Sequence, residues 1–226
     1  QHDEWETRHG ALLAIKYIVV LMAASSKTPA EKCQWKEHFL VYFVDTVISG
    51  LEDKNDDVQG VASQILCFSL PYFDTDKEEE SNFIPRVIQS LWKSLVNIRV
   101  VSSSINDIVK LLSQIIRTNA MVALHVISNT DSSLHGLVQI FTQMSELLQC
   151  ELKSVKISIL YVIGSLSRQL VQLLSKQNQP TISEADKVQA RECFCVIVKD
   201  VYSLCCETSL VHNDDEHNNQ NGNSDL

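Results

Sequence analysis

Ile48-Ser49-Gly50-Leu51-Glu52-Asp53-Lys54-Asn55-Asp56-Asp57-Val58-Gln59 holds the end of one amphipathic segment, a polar break and the start of another. Leading into it from Trp35, the apolar residues Leu40, Phe43, Val44, Val47, Ile48 and Leu51 recur at steps of three and four. That spacing puts them on one stripe of an α-helix and predicts a single helix from Trp35 to Leu51. Asp53 to Asp56 is too polar to continue the stripe, and Val58-Gln59 begins the next helix. Helix, short acidic turn, helix is therefore the local rule.

The rule extends in both directions. Ile84, Val87, Ile88, Leu91 and Leu95 form one stripe, with Pro85 in a first turn where its missing N–H costs nothing. Ile105, Ile108, Val109, Leu112, Ile115 and Ile116 follow, behind the candidate caps Ser102, Ser103 and Ser104. Further stripes are Leu134, Leu137, Val138, Phe141, Met144 and Leu148, then Val155 through Leu174, then Phe194, Ile197, Val198, Val201, Leu204 and Cys205. Breaks are expected at Ser25 to Glu31, Asp74 to Ser81, part of Thr118 to Thr130, and Gln177 to Ser183. No stretch alternates apolar and polar residues as a strand would, and six glycines and four prolines in 226 residues are too few for the turns of an all-β fold. The expected class is all-α. A helical segment over 1–210 is expected to be followed by a disordered polar tail over 211–226.

The helices repeat. Thr7-Arg8, Val58-Gln59, Ile105-Asn106 and Val155-Lys156 each open a helix with an apolar or β-branched residue and then a polar one, separated by 51, 47 and 50 residues. A two-helix period near fifty predicts a HEAT-like (armadillo-type) α-solenoid of antiparallel helix pairs, about four pairs with the first incomplete. Asn55-Asp56-Asp57-Val58 matches the punctuation of such repeats, while Gln59 stands where a basic residue would continue an aspartate–arginine ladder; Arg8 and Lys156 keep the charge in two other units. The first helix, Trp5 to Ala24, has no partner before it. Its face of Leu12, Leu13, Ile15, Val19 and Met22 is expected to be partly exposed, and with Gln1 in place of Met this suggests a piece of a longer chain.

Nineteen basic against 28 acidic side chains give a formal charge of −9. That balance disfavours a general nucleic-acid binder and suits a basic partner. The longest apolar run, Tyr17 to Ala24, is too short for a bilayer, which takes about 20 residues. Seven cysteines, most within apolar stretches, read as free thiols in a reducing compartment. Cys193, Cys195, Cys205, Cys206 and His212 could be assembled on paper into a zinc site, but Cys193 and Cys195 fall on different helix faces and adjacent Cys205-Cys206 cannot readily share one ion. No elbow or oxyanion element accompanies any Cys–His pair, so a nucleophile is not supported. Met22, Met121 and Met144 read as core filler.

Trp5-Glu6-Thr7-Arg8-His9-Gly10-Ala11-Leu12-Leu13-Ala14-Ile15-Lys16-Tyr17 resembles a signature of the TATA-binding protein-associated factor 172 family, SWI/SNF-type ATPases that remove TATA-binding protein from DNA. The resemblance continues through Ile48 to Asp53, Asp56-Asp57-Val58, Val61-Ala62, Phe83-Ile84-Pro85 and Ser90-Leu91-Trp92, and fades beyond about Ile116. It implies a nuclear HEAT-repeat arm that grips TATA-binding protein, touching DNA only through that complex, while a separate ATPase motor does the work. ATP and Mg would belong to that motor. No Gly-x-x-x-x-Gly-Lys-Ser/Thr loop is present, so no catalysis and no cofactor are expected of this segment. The resemblance also implies basic surfaces on the partner, which makes the acidic turns the candidate contacts: Glu52, Asp53, Asp56 and Asp57 first, then Asp74, Asp76, Glu78, Glu79 and Glu80. The plainer reading is that these are solvated turns. For the motif residues Trp5, Glu6, Arg8, His9, Gly10, Lys16 and Tyr17 a structural role is expected, with Trp5 packed, Glu6 favoured in a first helical turn and Gly10 allowing close helix approach. Two other functions fit the same pattern: a HEAT spacer that holds the motor at a distance without touching TATA-binding protein, and an unrelated HEAT adaptor such as a transport receptor.

Overall fold

The computed structural model describes residues 4–73, 82–97, 102–128, 133–175 and 184–218. Among these are nine α-helices and no strand: α1 (Trp5–Ser25), α2 (Pro29–Tyr42), α3 (Val44–Leu51), α4 (Asp56–Ser69), α5 (Phe83–Asn97), α6 (Ile105–Ser128), α7 (Ser133–Leu147), α8 (Lys153–Ser175) and α9 (Glu184–Asn218). A single 3-10 turn, Leu70–Tyr72, follows α4.

Local chemistry sets the boundaries. Thr28 and Glu31 cap α2 reciprocally, the Thr28 hydroxyl accepting from the Glu31 amide and the Glu31 carboxylate from the Thr28 amide, with Pro29 pre-set at the first position. Asn55 caps α4, its side-chain oxygen accepting from the amides of Asp57 at 2.9 Å and Val58 at 3.4 Å.

Consecutive helices pack in pairs: α3 with α4, α5 with α6, and α7 with α8. The second members stack in a row with α1, in which α1 meets α4, α4 meets α6 and α6 meets α8, while on the other side α3 meets α5 and α7 meets α9. One apolar core runs the length of this arrangement, from Leu12 and Val19 in α1 through Ile65 and Leu66, Leu111 and Leu112, to Ile159, Leu166 and Ile197. No side chain of that series is more than 2% exposed.

One expectation is corrected and two are met in part. The predicted helix from Trp35 to Leu51 is two helices, α2 and α3, separated at Phe43 (φ −118°, ψ −28°). Trp35 and Phe39 in α2 are held in an aromatic cluster with Tyr72, Phe73 and Phe83, whereas Val47, Ile48 and Leu51 in α3 lie in the core beside α4 and α5. A straight helix cannot serve both sets of neighbours. The predicted break within part of Thr118 to Thr130 is present at Asn119, whose φ of −135° and ψ of 41° depart from helix, but it is a kink, since helix resumes to Ser128. The Thr118 hydroxyl donates back to the Gln114 carbonyl at 3.0 Å and accepts from the Asn119 amide group at 2.9 Å, the local bonding that bends helices. The third concerns α1: Leu12 and Val19 are buried, Leu13, Ile15 and Met22 are half-buried against the core and so partly exposed as expected, and the fully exposed apolar residues Tyr17, Ile18 and Leu21 lie on another side.

Helix α9 runs on to Asn218 and so enters the segment 211–226 expected as a tail; residues 219–226 lie outside the described residues. By length and composition alone α1 and α6 are apolar enough to cross a membrane.

Candidate functional site

The acidic turn between α3 and α4 is built from the inside. Asp53 is 10% exposed and accepts two bonds from the Arg8 guanidinium of α1, Nε at 2.7 Å and Nη2 at 3.1 Å. Its Oδ1 also accepts from the Asn55 amide at 2.9 Å, and its carbonyl accepts from the Gln59 side chain at 2.7 Å. The Arg8 fork, and then the Asn55 and Lys54 amides, hold the Asp53 carboxyl below its ordinary range against the opposing pull of burial. Glu52 faces the other layer. Its two oxygens accept from Lys93 and from the Ser90 hydroxyl of α5, and Lys93 first, then Ser90, lower its pKa. A second ion pair between α3 and α5 joins Asp45 to Arg86.

Of the four acids singled out by sequence, two are therefore already ion-paired within the chain, Asp53 largely buried and Glu52 exposed. Asp56 and Asp57 sit in the first turn of α4, half-buried and exposed respectively, where negative charge is favoured by the helix dipole. Asp57 accepts from the Ser103 hydroxyl at 3.5 Å, the outer limit of such a bond. The second-choice acids Asp74, Asp76, Glu78, Glu79 and Glu80 lie outside the described residues.

The turn is one station of a polar ladder along the row of helices. At Gln59, where the sequence suggests a broken rung, a neutral rung stands instead: the Ser104 hydroxyl donates to Gln59 Oε1 at 3.1 Å. Beside it, Lys16 Nζ donates to Gln64 Oε1 at 2.7 Å and Gln64 Nε2 donates to Asp107 Oδ2 at 2.8 Å, linking α1, α4 and α6. Further along, the Ser158 hydroxyl donates to Asn106 Oδ1 at 3.3 Å. Gln64, Ser104 and Asp107 were not singled out from sequence. The signal was there, since ladder partners lie 43 to 52 residues apart, close to the repeat.

The opening motif forms the first two turns of α1 and beyond. Trp5 is half-buried with its ring tilted against His9 at 6.1 Å, Glu6 is exposed in the first turn, Arg8 and Lys16 supply the rungs just described, and Tyr17 is 68% exposed. Gly10 departs from expectation: a Cβ there would meet nothing within 4 Å. Against α1 the close approach is at Gly50, whose Cβ would lie 2.9 Å from Leu12 and 3.0 Å from Ala62.

Among the described residues no three His, Cys, Asp or Glu side chains are grouped to hold a metal. Of the thiols considered for zinc, Cys193 packs against the core and Cys195 is exposed, while the side chains of Cys205, Cys206 and His212 lie outside the described set. Burial pushes the Cys67 thiol up to about 12, aided by Asp107, which keeps it protonated and unreactive at neutral pH. The arrangement offers rigid polar and charged edges on stacked helices, a geometry for holding surfaces together.

No family model matches the chain, and no solved structure matches it. Among curated proteins it is 32% identical over 117 residues to TATA-binding protein-associated factor 172 of Homo sapiens and 30% identical over 115 residues to TATA-binding protein-associated factor BTAF1 of Arabidopsis thaliana, in each case about half of this chain. It is 26% identical over 161 residues, 70% of the chain, to TATA-binding protein-associated factor mot1 of Schizosaccharomyces pombe. The matched stretch is a small part of those proteins, 6%, 5% and 8% of their lengths. Over half or more of its length this chain is thus related in sequence to the TATA-binding protein-associated factors.

Proposed function

We propose that this chain is a HEAT-like α-solenoid segment of a nuclear regulator in the TATA-binding protein-associated factor 172 family, serving as a protein-binding scaffold for TATA-binding protein. The observation that carries the reading is the similarity to three proteins named as TATA-binding protein-associated factors, supported by helices that pair and stack at a fifty-residue period. In this reading the segment binds and does not catalyse; ATP and Mg serve a motor elsewhere in the protein, and DNA is reached only through the complex.

The contact assigned to the partner is the α4 edge of the acidic turn, Asp56 and Asp57, because Asp53 and Glu52 already neutralise Arg8 and Lys93. Two carboxylates at a helix start would steer a basic surface and set its register more than they would add affinity. That same internal use of Glu52 and Asp53 favours a second reading, a structural spacer that never touches TATA-binding protein.

A calorimetric titration of the chain against purified TATA-binding protein at two salt concentrations separates them. The scaffold reading expects binding that weakens with salt and is reduced about tenfold or more when Asp56→Lys and Asp57→Lys are combined. A folded chain that does not bind at either salt leaves the spacer. Asp53 is left unaltered in this test, since its reversal would break the Arg8 rung and confuse folding with contact.

A further inference from the structure

Of the four prolines in the chain, Pro71, Pro85 and Pro180 follow Leu70, Ile84 and Gln179, and only Pro29 follows a hydroxyl residue, in Ser26-Lys27-Thr28-Pro29. The structure places this pair in the short turn from α1 to α2. Thr28 is exposed, as is Lys27, and its backbone is extended (φ −99°, ψ 157°), the conformation a following proline imposes. The neighbouring hydroxyls of Ser25 and Ser26 are instead turned back onto the Met22 carbonyl, at 3.0 and 2.7 Å. The first turn of α2 is exposed at Thr28, Glu31 and Gln34, and its buried anchors Trp35 and Phe39 come only later, so the start of the helix opens at little cost. Helix pairs stacked before or after lie against the flanks of these helices and not over the turn between them.

We propose that Thr28 is a phosphorylation site for proline-directed protein kinases, and that its phosphate acts as a charge switch at the α1–α2 turn. The Thr28 hydroxyl oxygen attacks the γ-phosphorus of ATP; its new P–O bond forms as the bond to the departing ADP oxygen breaks, and the hydroxyl proton passes to the catalytic base of the kinase. The product adds a charge of about −1.5 to −2 at neutral pH. It arrives beside Glu31, whose carboxylate accepts from the Lys27 amide at 2.7 Å and the Thr28 amide at 2.9 Å. The Thr28 amide, then the Lys27 amide, hold the Glu31 carboxyl below its ordinary range, and the Thr28 hydroxyl adds to this. Phosphorylation removes that hydroxyl donor and sets a like charge in its place. Glu31 is driven out, phosphate oxygens take the amides at the start of α2, and one cap is exchanged for another. The turn lies at the far end of α1 from Arg8 and the acidic turn, roughly 25 Å along the helix. The inference is independent of the function proposed above.

Incubation of the full chain with ATP and a mitogen-activated protein kinase, a proline-directed enzyme, followed by mass spectrometry, tests the site. A single phosphate on Thr28 is expected, lost in Thr28→Asn and in Pro29→Ala. Asparagine caps a helix as well as threonine does and alanine is a good helix former, so neither loss reflects an unfolded α2; circular dichroism checks both variants. In the phosphorylated chain the Glu31 carboxyl, followed by NMR, should titrate at higher pH than in the unmodified chain. No phosphate, a phosphate on another hydroxyl, or incorporation that Pro29→Ala leaves unchanged overturns the site. A Glu31 titration that does not move when Thr28 is phosphorylated overturns the switch.

Discussion

Helices α1 and α6 belong to the same row and are similar enough in length and composition that both pass for membrane-spanning segments. Their surroundings differ. Helix α6 lies between α4 and α8 and is also backed by α5 and α7, and half of its most apolar window is buried; α1 has α4 on one flank, and 11% of its window is buried. Apolarity around most of a helix circumference here reflects how many neighbours a row position is built to have. In α6 most of the apolar surface has found a neighbour, although Met121, expected as core filler, is 42% exposed. In α1 the surface is present, and among the described residues Tyr17, Ile18 and Leu21 on one side of it are left exposed.

The contrast is broken most severely where α7 closes on α6. A Cβ on Gly136 would lie 2.1 Å from the Leu124 carbonyl oxygen and 2.9 Å from its carbon, backbone atoms that cannot swing aside. Gly136→Ala is expected to force α7 off α6 and to cost more than about 3 kcal/mol, seen as a large drop in the urea midpoint or as insoluble expression. Gly10→Ala, on the open face of α1, is the control. It meets no atom and is expected to leave stability unchanged or raise it slightly, as the better helix former.

A paired truncation sharpens the comparison. Leu112 in α6 is 0% exposed and Leu21 in α1 is 68% exposed. Leu112→Ala should cost about 3 kcal/mol through lost burial and the cavity left behind, whereas Leu21→Ala should stay within about 0.5 kcal/mol in dilute solution. Equal losses in urea melts would mean that α1 is covered on both sides even in the single chain.

Next in size is the charged rung. Replacing Asp53 with Asn removes the ionic partner of Arg8 while keeping the shape, and about 1 kcal/mol is expected, because Arg8 remains 39% exposed and solvent screens the pair. The pH sign follows from the direction of the shift. A carboxyl whose pKa is lowered in the folded state stabilises fully above its unfolded value, here ordinarily 3.8, and that contribution disappears as pH falls through the folded value. Stability of the unaltered chain should therefore fall more steeply than that of Asp53→Asn on acidification below about pH 4, and the two should run parallel near neutrality.

Much of this was legible in the sequence, for a physical reason. The apolar stripes of α5, α6 and α8 are set by a 3.6-residue period that each helix carries within itself, and the Asn55 cap and the α4 start follow from side chains within three residues of one another. What could not be read depended on neighbours distant in sequence. The break at Phe43 reflects aromatic partners at Tyr72, Phe73 and Phe83; the continuation of α6 past Asn119 reflects α7 and α8 packed along it. The acidic turn was found as a cluster of charges, but which of its acids are ion-paired within the chain was decided by Arg8 and Lys93, each about 40 residues away. A search for polar partners one repeat apart would have recovered Arg8–Asp53 and Gln59–Ser104 together.

Those two rungs differ in charge because they differ in depth. Asp53 is 10% exposed and its arginine reaches solvent, whereas Ser104 is 1% exposed and shares a 2.8 Å bond with the buried Ser102 hydroxyl. A carboxylate at Ser104 would lose more in hydration than a single partner returns, so a glutamine facing a serine is the arrangement that deeper position tolerates. Gln59→Ala removes the bonds to Ser104 and to the Asp53 carbonyl, yet leaves Ser104 bonded to Ser102, so no buried hydroxyl is orphaned. The expected loss is smaller than that at Asp53, about 0.5–1 kcal/mol, and it should not vary with pH between acid and neutral conditions because neither partner titrates there. A loss that grows on acidification would show instead that Gln59 acts through Asp53, by positioning the carbonyl beneath the charged rung.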